Sequence, residues 1–237
     1  MKTKRQILTS KAHATTIRGA FWQRLGGIAA ALLFCAASVG AAAEQTSFDI
    51  VMGYHLLLPK KYMDWRIADG AEIQARLWQS EHIGLALSAA SDTWSAKPET
   101  SVEQSADSYV SSSVSGDASV TTLGASILYR SEPSAEVKLI LDLGLRYALV
   151  DSSVYGEASY SGTGGSNYLY EKIGIENSLL FVIGAGLEFE VTKNISFTIG
   201  AGYQVDLKKP KETFAGESLG ETSLDAVSFN LLLACRL

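Results

Sequence analysis

The sequence predicts an all-β fold, a closed eight-stranded antiparallel up-and-down transmembrane β-barrel preceded by a cleavable signal peptide. Three observations predict it. Period-two alternation recurs in eight segments, the signature of strands. The segments are joined by connections that are alternately short and long, the rhythm of a barrel with tight turns on one rim and long loops on the other. One face of every segment is apolar and nearly free of charge, whereas the other is small, polar or ionic. A soluble barrel shows the reverse, with its exterior studded with Lys and Glu.

The first 43 residues stand apart. Lys2, Lys4, Arg5, Lys11, Arg18 and Arg24 form a basic region without an acid, followed by the apolar run from Ile28 to Val39 and the small residues Ala41, Ala42 and Ala43. That is the order of a secretory signal peptide, and the apolar run is too short for a spanning helix. Cleavage before Glu44 leaves residues 44–237 as the barrel domain. Six of the 20 basic residues and none of the 25 acids lie in the leader, so the remaining 14 bases against 25 acids carry a formal charge of −11. An acidic surface argues against nucleic acid as a partner. Of the two cysteines, Cys35 leaves with the leader and Cys235 remains without an intramolecular partner.

Strand one, about 47–56, sets Phe48, Ile50, Met52, Tyr54 and Leu56 on one side. Strand two, about 70–79, alternates Ala71, Ile73, Ala75 and Leu77 with Glu72, Gln74, Arg76 and Trp78. Strand three, about 82–92, sets Ile83, Leu85, Leu87 and Ala89 against Gly84, Ala86 and Ser88. A polar segment from Ser91 to about Ala118 reads as a long loop. Strand four, about 119–130, places Leu123, Ala125, Ile127 and Tyr129 on the oily side, and Glu132-Pro133-Ser134 turns the chain. Strand five, about 136–149, is the clearest: Val137, Leu139, Leu141, Leu143, Leu145 and Tyr147 alternate with Lys138, Ile140, Asp142, Gly144, Arg146 and Ala148. Residues 151–176 read as a second long loop, although SYVSSSVSGDASV and SSVYGEASYSG keep a rough alternation and some strands are expected to extend past the membrane. Leu179 to Val205 form a hairpin turned at Thr192-Lys193-Asn194, residues 207–222 a third long loop, and Val227, Phe229, Leu231, Leu233, Cys235 and Leu237 the apolar side of strand eight.

These features resemble the small OmpA/OmpX-type outer-membrane β-barrel family. The leader, the eight alternating strands, the hairpin IGAGLEFEVTKNISFTIGAGYQV and the closing apolar strand carry the resemblance, which covers 44–237. It implies the Gram-negative outer membrane, outer-membrane lipid around the wall, and recognition of the C-terminal strand by the barrel-insertion machinery. Family members usually end in an aromatic residue; this chain ends in Leu237, and Phe229 is the nearest aromatic. Some relatives carry a cell-wall-binding domain after the barrel, and none is expected here.

Strand parity points Glu72, Arg76, Lys138, Asp142, Arg146, Glu188, Glu190 and Arg236 into a lumen only wide enough for side chains. Lys138, Glu188, Glu190 and Arg236 fall near the short-turn rim, Arg76 and Asp142 near the middle, and Glu72 with Arg146 higher. Unpaired charges there are costly, so the expectation is a salt-bridged plug, with a gated or proton-relaying lumen as the alternative. The loops are the expected functional surface, with Tyr109, Tyr155, Tyr160, Tyr168 and Tyr170 as candidates for contact with an unknown surface ligand.

No catalytic set is expected. His55 and His82 fall at opposite ends of the barrel, each read as a solvated rim residue. No serine sits in a G-x-S-x-G context, and the two G-A-G stretches are mid-strand with no helix following. No cofactor or metal is expected. The reading is a monomeric structural or surface-interaction protein of adhesion-like character. The alternatives are an outer-membrane lipid-modifying enzyme, which would need His55, and a secreted soluble barrel carrying an apolar ligand.

Overall fold

The computed structural model describes residues 47–60, 65–105, 108–132, 135–162 and 165–237. The expected signal peptide, Cys35, and the turn residues Pro133 and Ser134 lie outside them. Thirteen strands and no helix are found among the described residues. Eight strands form a ring: β1 (Ser47–Pro59), β2 (Ala68–Trp78), β3 (Ile83–Ser95), β5 (Ser108–Arg130), β6 (Val137–Gly162), β9 (Ser178–Glu190), β10 (Ile195–Lys208) and β13 (Ala226–Arg236). Each is antiparallel to its neighbours in the order β5-β3-β2-β1-β13-β10-β9-β6, and β6 pairs with β5 to close it. β1 meets β13 along its length, from Asp49 opposite Arg236 to Pro59 opposite Ala226, so the first and last strands seal together.

The three short turns gather at one end. Gln79 N and Val191 N donate to Ile83 O and Ile195 O at 3.0 and 2.9 Å, and the carbonyl of Leu139 accepts from Ser131 N at 2.8 Å across the third. The start of β1 and the end of β13 lie at the same end, where Leu237 N donates to Phe48 O at 2.9 Å.

The pleat is worn as the alternation predicts. Val137, Leu139, Leu141, Leu143, Leu145, Tyr147 and Leu149 are all on the exposed side of β6, Leu143 at 47%, whereas Lys138 between them is 2% exposed. This apolar row spans residues 137 to 149, about 30 Å of height at roughly 3.3 Å per residue and a strand tilt near 40°, the thickness of a hydrocarbon core. Aromatics mark its lower edge: Phe189 stacks on Phe197 with centroids 4.8 Å apart, and Tyr129 on His82 at 6.1 Å. Cys235 is free and exposed on this outer face.

Three of the four long connections are not open loops. β5 and β6 stay paired without a break from Arg130–Ile140 up to Ser108–Gly162, far beyond the apolar band. β4 (Glu99–Gln104) adds to the outer part of β5, and β7 (Gly165–Lys172) to the outer part of β6, making a four-stranded extension in the order β4-β5-β6-β7. β8 (Gly174–Ile175), β11 (Lys211–Phe214) and β12 (Glu217–Glu221) form a separate small sheet. Composition hides these strands: Ser and Gly are frequent in them, and their pairing is imposed by the barrel strands they continue. Phe214 packs against Gly156, where an added Cβ would meet the ring at 2.9 Å.

Depth in the bilayer sets the penalty for a charge on the outer wall. Leu143→Arg, near mid-band, is expected to lose about 2–4 kcal/mol of folding stability and Leu149→Arg, at the band's edge, about 1 kcal/mol or less. Denaturant titration in lipid vesicles reads both; equal losses would contradict the depth assignment.

Candidate functional site

The inward residues of the ring build three stacked layers. At the short-turn end, Asp49 is buried and accepts from Trp78 Nε1 at 2.7 Å and from Arg236 Nε at 3.3 Å. The Arg130 guanidinium lies 3.5 Å from the centroid of the Trp78 ring, 3.8 Å from Asp49 and 3.9 Å from Glu188. Ser196 Oγ donates to Glu188 at 2.7 Å, and Lys138 pairs with Glu190, which also lies 3.8 Å from Arg236. Trp78, Leu128 and Ile140 pack beside these ions.

The middle layer is a chain of hydrogen bonds that crosses strands. Arg76 Nε donates to Gln74 Oε1 at 2.8 Å, Gln74 Nε2 to Glu72 Oε1 at 3.0 Å, and Arg146 Nη2 to the same oxygen at 2.8 Å. Gly124 faces Arg146 from the next strand; a Cβ there would lie 2.6 Å from Arg146 Cγ, so the glycine leaves room for the arginine to cross. His55 sits between two carboxylates, in contact with Asp92 through Nε2 and 3.6 Å from Glu72 through Nδ1. A cavity of about 50 Å³ lies in this layer, lined in part by Arg76, Asp142, Arg146, Thr198 and the backbones of Gly184 and Gly200. Arg76 Nη1, Asp142 Oδ1, Arg146 Nε and Thr198 Oγ1 make no hydrogen bond within the protein, and a polar space of this size accommodates water.

The third layer, at the end of the long connections, is apolar. Leu57, Trp65, Trp94, Val120, Leu180 and Leu224 are part of one buried cluster. Trp65 and Trp94 meet edge to face at 6.0 Å, and Trp65 Nε1 donates to Thr222 at 3.2 Å. Asp206 fastens the last long connection over it, accepting from Ser178 Oγ at 2.5 Å, Ser223 Oγ at 2.6 Å and the Leu224 amide at 2.7 Å.

All eight charged residues predicted for the lumen point inward by strand register, and the Glu72–Arg146 and Lys138–Glu190–Arg236 groupings are present. Arg76 differs in that it hydrogen-bonds a glutamine rather than a carboxylate. His55 is a correction: it is no solvated rim residue but 3% exposed. It lies on the inward side of β1, opposite the apolar row, so the same parity places it inside. Asp49, Asp92 and Arg130 are not among the eight, although the parity rule reaches each of them. Asp92 falls where the expected end of strand three, about 92, overlaps the polar segment that begins at Ser91, whereas β3 continues to Ser95. His82 does lie exposed on the short-turn rim, with Nδ1 3.0 Å from the Arg130 carbonyl. Tyr109, Tyr155, Tyr160, Tyr168 and Tyr170 are all exposed, and all lie on the strands of the extension rather than in loops. Among the described residues no group of three His, Cys, Asp or Glu side chains is arranged to hold a metal ion.

The family model described as "Outer membrane protein beta-barrel domain" matches residues 27–236. No curated protein matches the chain. Among solved structures, the outer membrane protein OprG from Pseudomonas aeruginosa is similar at 10% identity with a TM-score of 0.50, covering 81% of this chain and 95% of that one. Ail, the attachment invasion locus protein of Yersinia pestis, is similar at 18% identity and a TM-score of 0.38, covering 81% and 97%. Neisserial surface protein A is similar at 16% identity and a TM-score of 0.40, covering 81% and 96%.

Removing one member of a buried network leaves its partners as uncompensated charges. Glu72→Leu is therefore expected to destabilise the barrel by about 3–5 kcal/mol, and the double variant Glu72→Leu/Arg146→Leu by less than Glu72→Leu alone. Asp151→Ala, which breaks the exposed 3.6 Å pair with Lys172, is expected to change stability by about 1 kcal/mol or less. Unfolding in vesicles of all three variants tests the ranking.

Proposed function

The chain belongs to the outer membrane protein β-barrel domain family, and we propose on that basis that it is a monomeric, non-enzymatic surface-interaction protein whose lumen is closed by its own side chains. It resides in the outer membrane, with outer-membrane lipid against its apolar wall. The observation that carries the proposal is the division of polar residues. The inward ones engage one another beneath the Trp65–Trp94 layer, while the outward ones beyond the membrane stand exposed on the β4-β5-β6-β7 extension. A barrel built to conduct keeps its axis open, and a barrel built to present a surface lengthens its strands.

A lipid-modifying activity receives no support from His55. Its ring is held by Asp92 and Glu72 inside the barrel, below the apolar layer, whereas a lipid substrate lies outside the wall. The last strand of the ring, β13, sealed against β1, is the segment offered to the insertion machinery.

Two measurements test the proposal. In planar bilayers the full chain is expected to give no steady conductance; a stable open level would overturn the closed lumen. Cells displaying the chain are expected to be retained on an epithelial monolayer about tenfold better than cells displaying a shaved variant, in which residues 97–116 and 153–173 are replaced by short turns. Equal retention, with both proteins folded in the membrane, would overturn the surface role.

A further inference from the structure

The extension has two unlike faces. Strand register puts Tyr155, Glu157 and Ser159 of β6 beside Lys172, Tyr170 and Tyr168 of β7, and beside Ser115, Ser113 and Ser111 of β5. These positions share the parity of Leu145, Tyr147 and Leu149, so they continue the lipid-facing wall upward. The opposite parity continues the lumen side, where Gly156 meets Phe214 and where Val154 joins the apolar layer.

The outward face is organised. The Tyr155 and Tyr170 rings stack at 5.2 Å, tilted by 2°. Ser113 Oγ donates to Glu157 at 3.3 Å, and Ser111 and Ser159 hydroxyls lie 2.8 Å apart. Tyr168, 67% exposed, stands beside the same glutamate. Partial desolvation and the Glu157 carboxylate hold its phenol above the usual range. The result is a set of flat rings flanked by hydroxyls and one carboxylate, the chemistry that takes up a sugar: C–H bonds on the ring faces, sugar hydroxyls on the polar atoms. Its single cation, Lys172, is paired with Asp151, which disfavours phosphate.

Height and direction choose the source. Tyr155 lies six residues beyond Leu149, about 15 Å higher at roughly 3.3 Å per residue and a tilt near 40°. The face looks sideways, over the lipids that touch the wall, at the level of their outer sugars rather than of their phosphates. We propose that the outward face of the extension is a docking platform for the uncharged outer sugars of the glycolipid in the surrounding outer leaflet. This rests on the surface-interaction reading and names its partner as a neighbouring lipid.

The test uses the full chain in phospholipid nanodiscs containing a bacterial outer-leaflet glycolipid, either with its full saccharide or truncated to the phosphorylated inner sugars. Hydroxyl-radical labelling is read at each tyrosine. The expected result is about threefold protection of Tyr155, Tyr168 and Tyr170 by the full saccharide. None is expected with the truncated form, and no change at Tyr160, which lies on the opposite face. Y155S/Y168S/Y170S, checked for folding by its resistance to unfolding in SDS, is expected to co-purify with at least about threefold less full-length glycolipid. Equal protection by both glycolipids, or unchanged co-purification with the variant, overturns the platform. Equally strong protection by the released saccharide in glycolipid-free discs overturns the assignment to the membrane's own lipid and gives the face to a foreign glycan. Retention on a monolayer is scored separately: a triple variant that keeps retention while losing glycolipid supports the platform, and loss of retention without loss of glycolipid overturns it alone.

Discussion

Hydrocarbon supplies no partner for a peptide N–H or C=O, and that constraint shapes everything else in this chain. A sheet in such a solvent has to close, and here two seams close it: β1 against β13, joining the first and last strands of the ring, and β5 against β6. Once the ring is closed, every residue is either inside or outside, and an alternation of two becomes a partition of chemistry. The leucines of β6 go to lipid and the ions between them to the axis. No separate device is needed to sort them.

Closure also creates a problem inside. A ring of eight strands leaves an interior that side chains must fill, and the residues directed there include Lys138, Arg130, Arg146, Glu72, Glu188 and Asp49. Buried ions of this kind are tolerable only when they meet partners with good geometry. Several of these ions share partners. Asp49 serves Trp78, Arg236 and Arg130, and one oxygen of Glu72 serves both Gln74 and Arg146. Apolar side chains do the rest, with Leu128 and Ile140 beside the ions and the tryptophan layer above them. In the proposed reading the polar face in the sequence is a second core rather than a channel lining, assembled from pairs rather than from oil.

Much of this was legible in the sequence, because parity is a local property that the barrel converts directly into position. The eight strands, the lipid face and the eight lumen ions follow from counting by twos. His55, Asp49 and Arg130 obey the same count, yet for His55 identity overrides position: a histidine near a strand end suggests solvent. Asp92 is lost at a composition boundary, where strand three and the polar segment from Ser91 overlap. What counting cannot reach is pairing across strands far apart in sequence. Trp65 with Thr222, His55 with Asp92, and Glu72 with Arg146 depend on register around the ring.

The extension shows why composition misleads. A strand in isolation needs β-branched and aromatic residues to hold its shape, but β5 and β6 emerge from the membrane already paired and twisted. Past that point each further pair is added to an existing ladder, so serine and glycine suffice. The same logic brings a liability, because a sheet that leaves the barrel regains edges. Among the described residues the sheet order begins at β4 and ends at β7, and no further strand pairs with the outer side of either. Glu99 and Glu103 stand on one edge strand, Glu171 and Lys172 on the other, and charges so placed oppose strand addition by another chain. With the edges guarded, the broad faces are what the proposed surface role has to use, and only the outward one is both free of the apolar layer and turned toward the membrane around it.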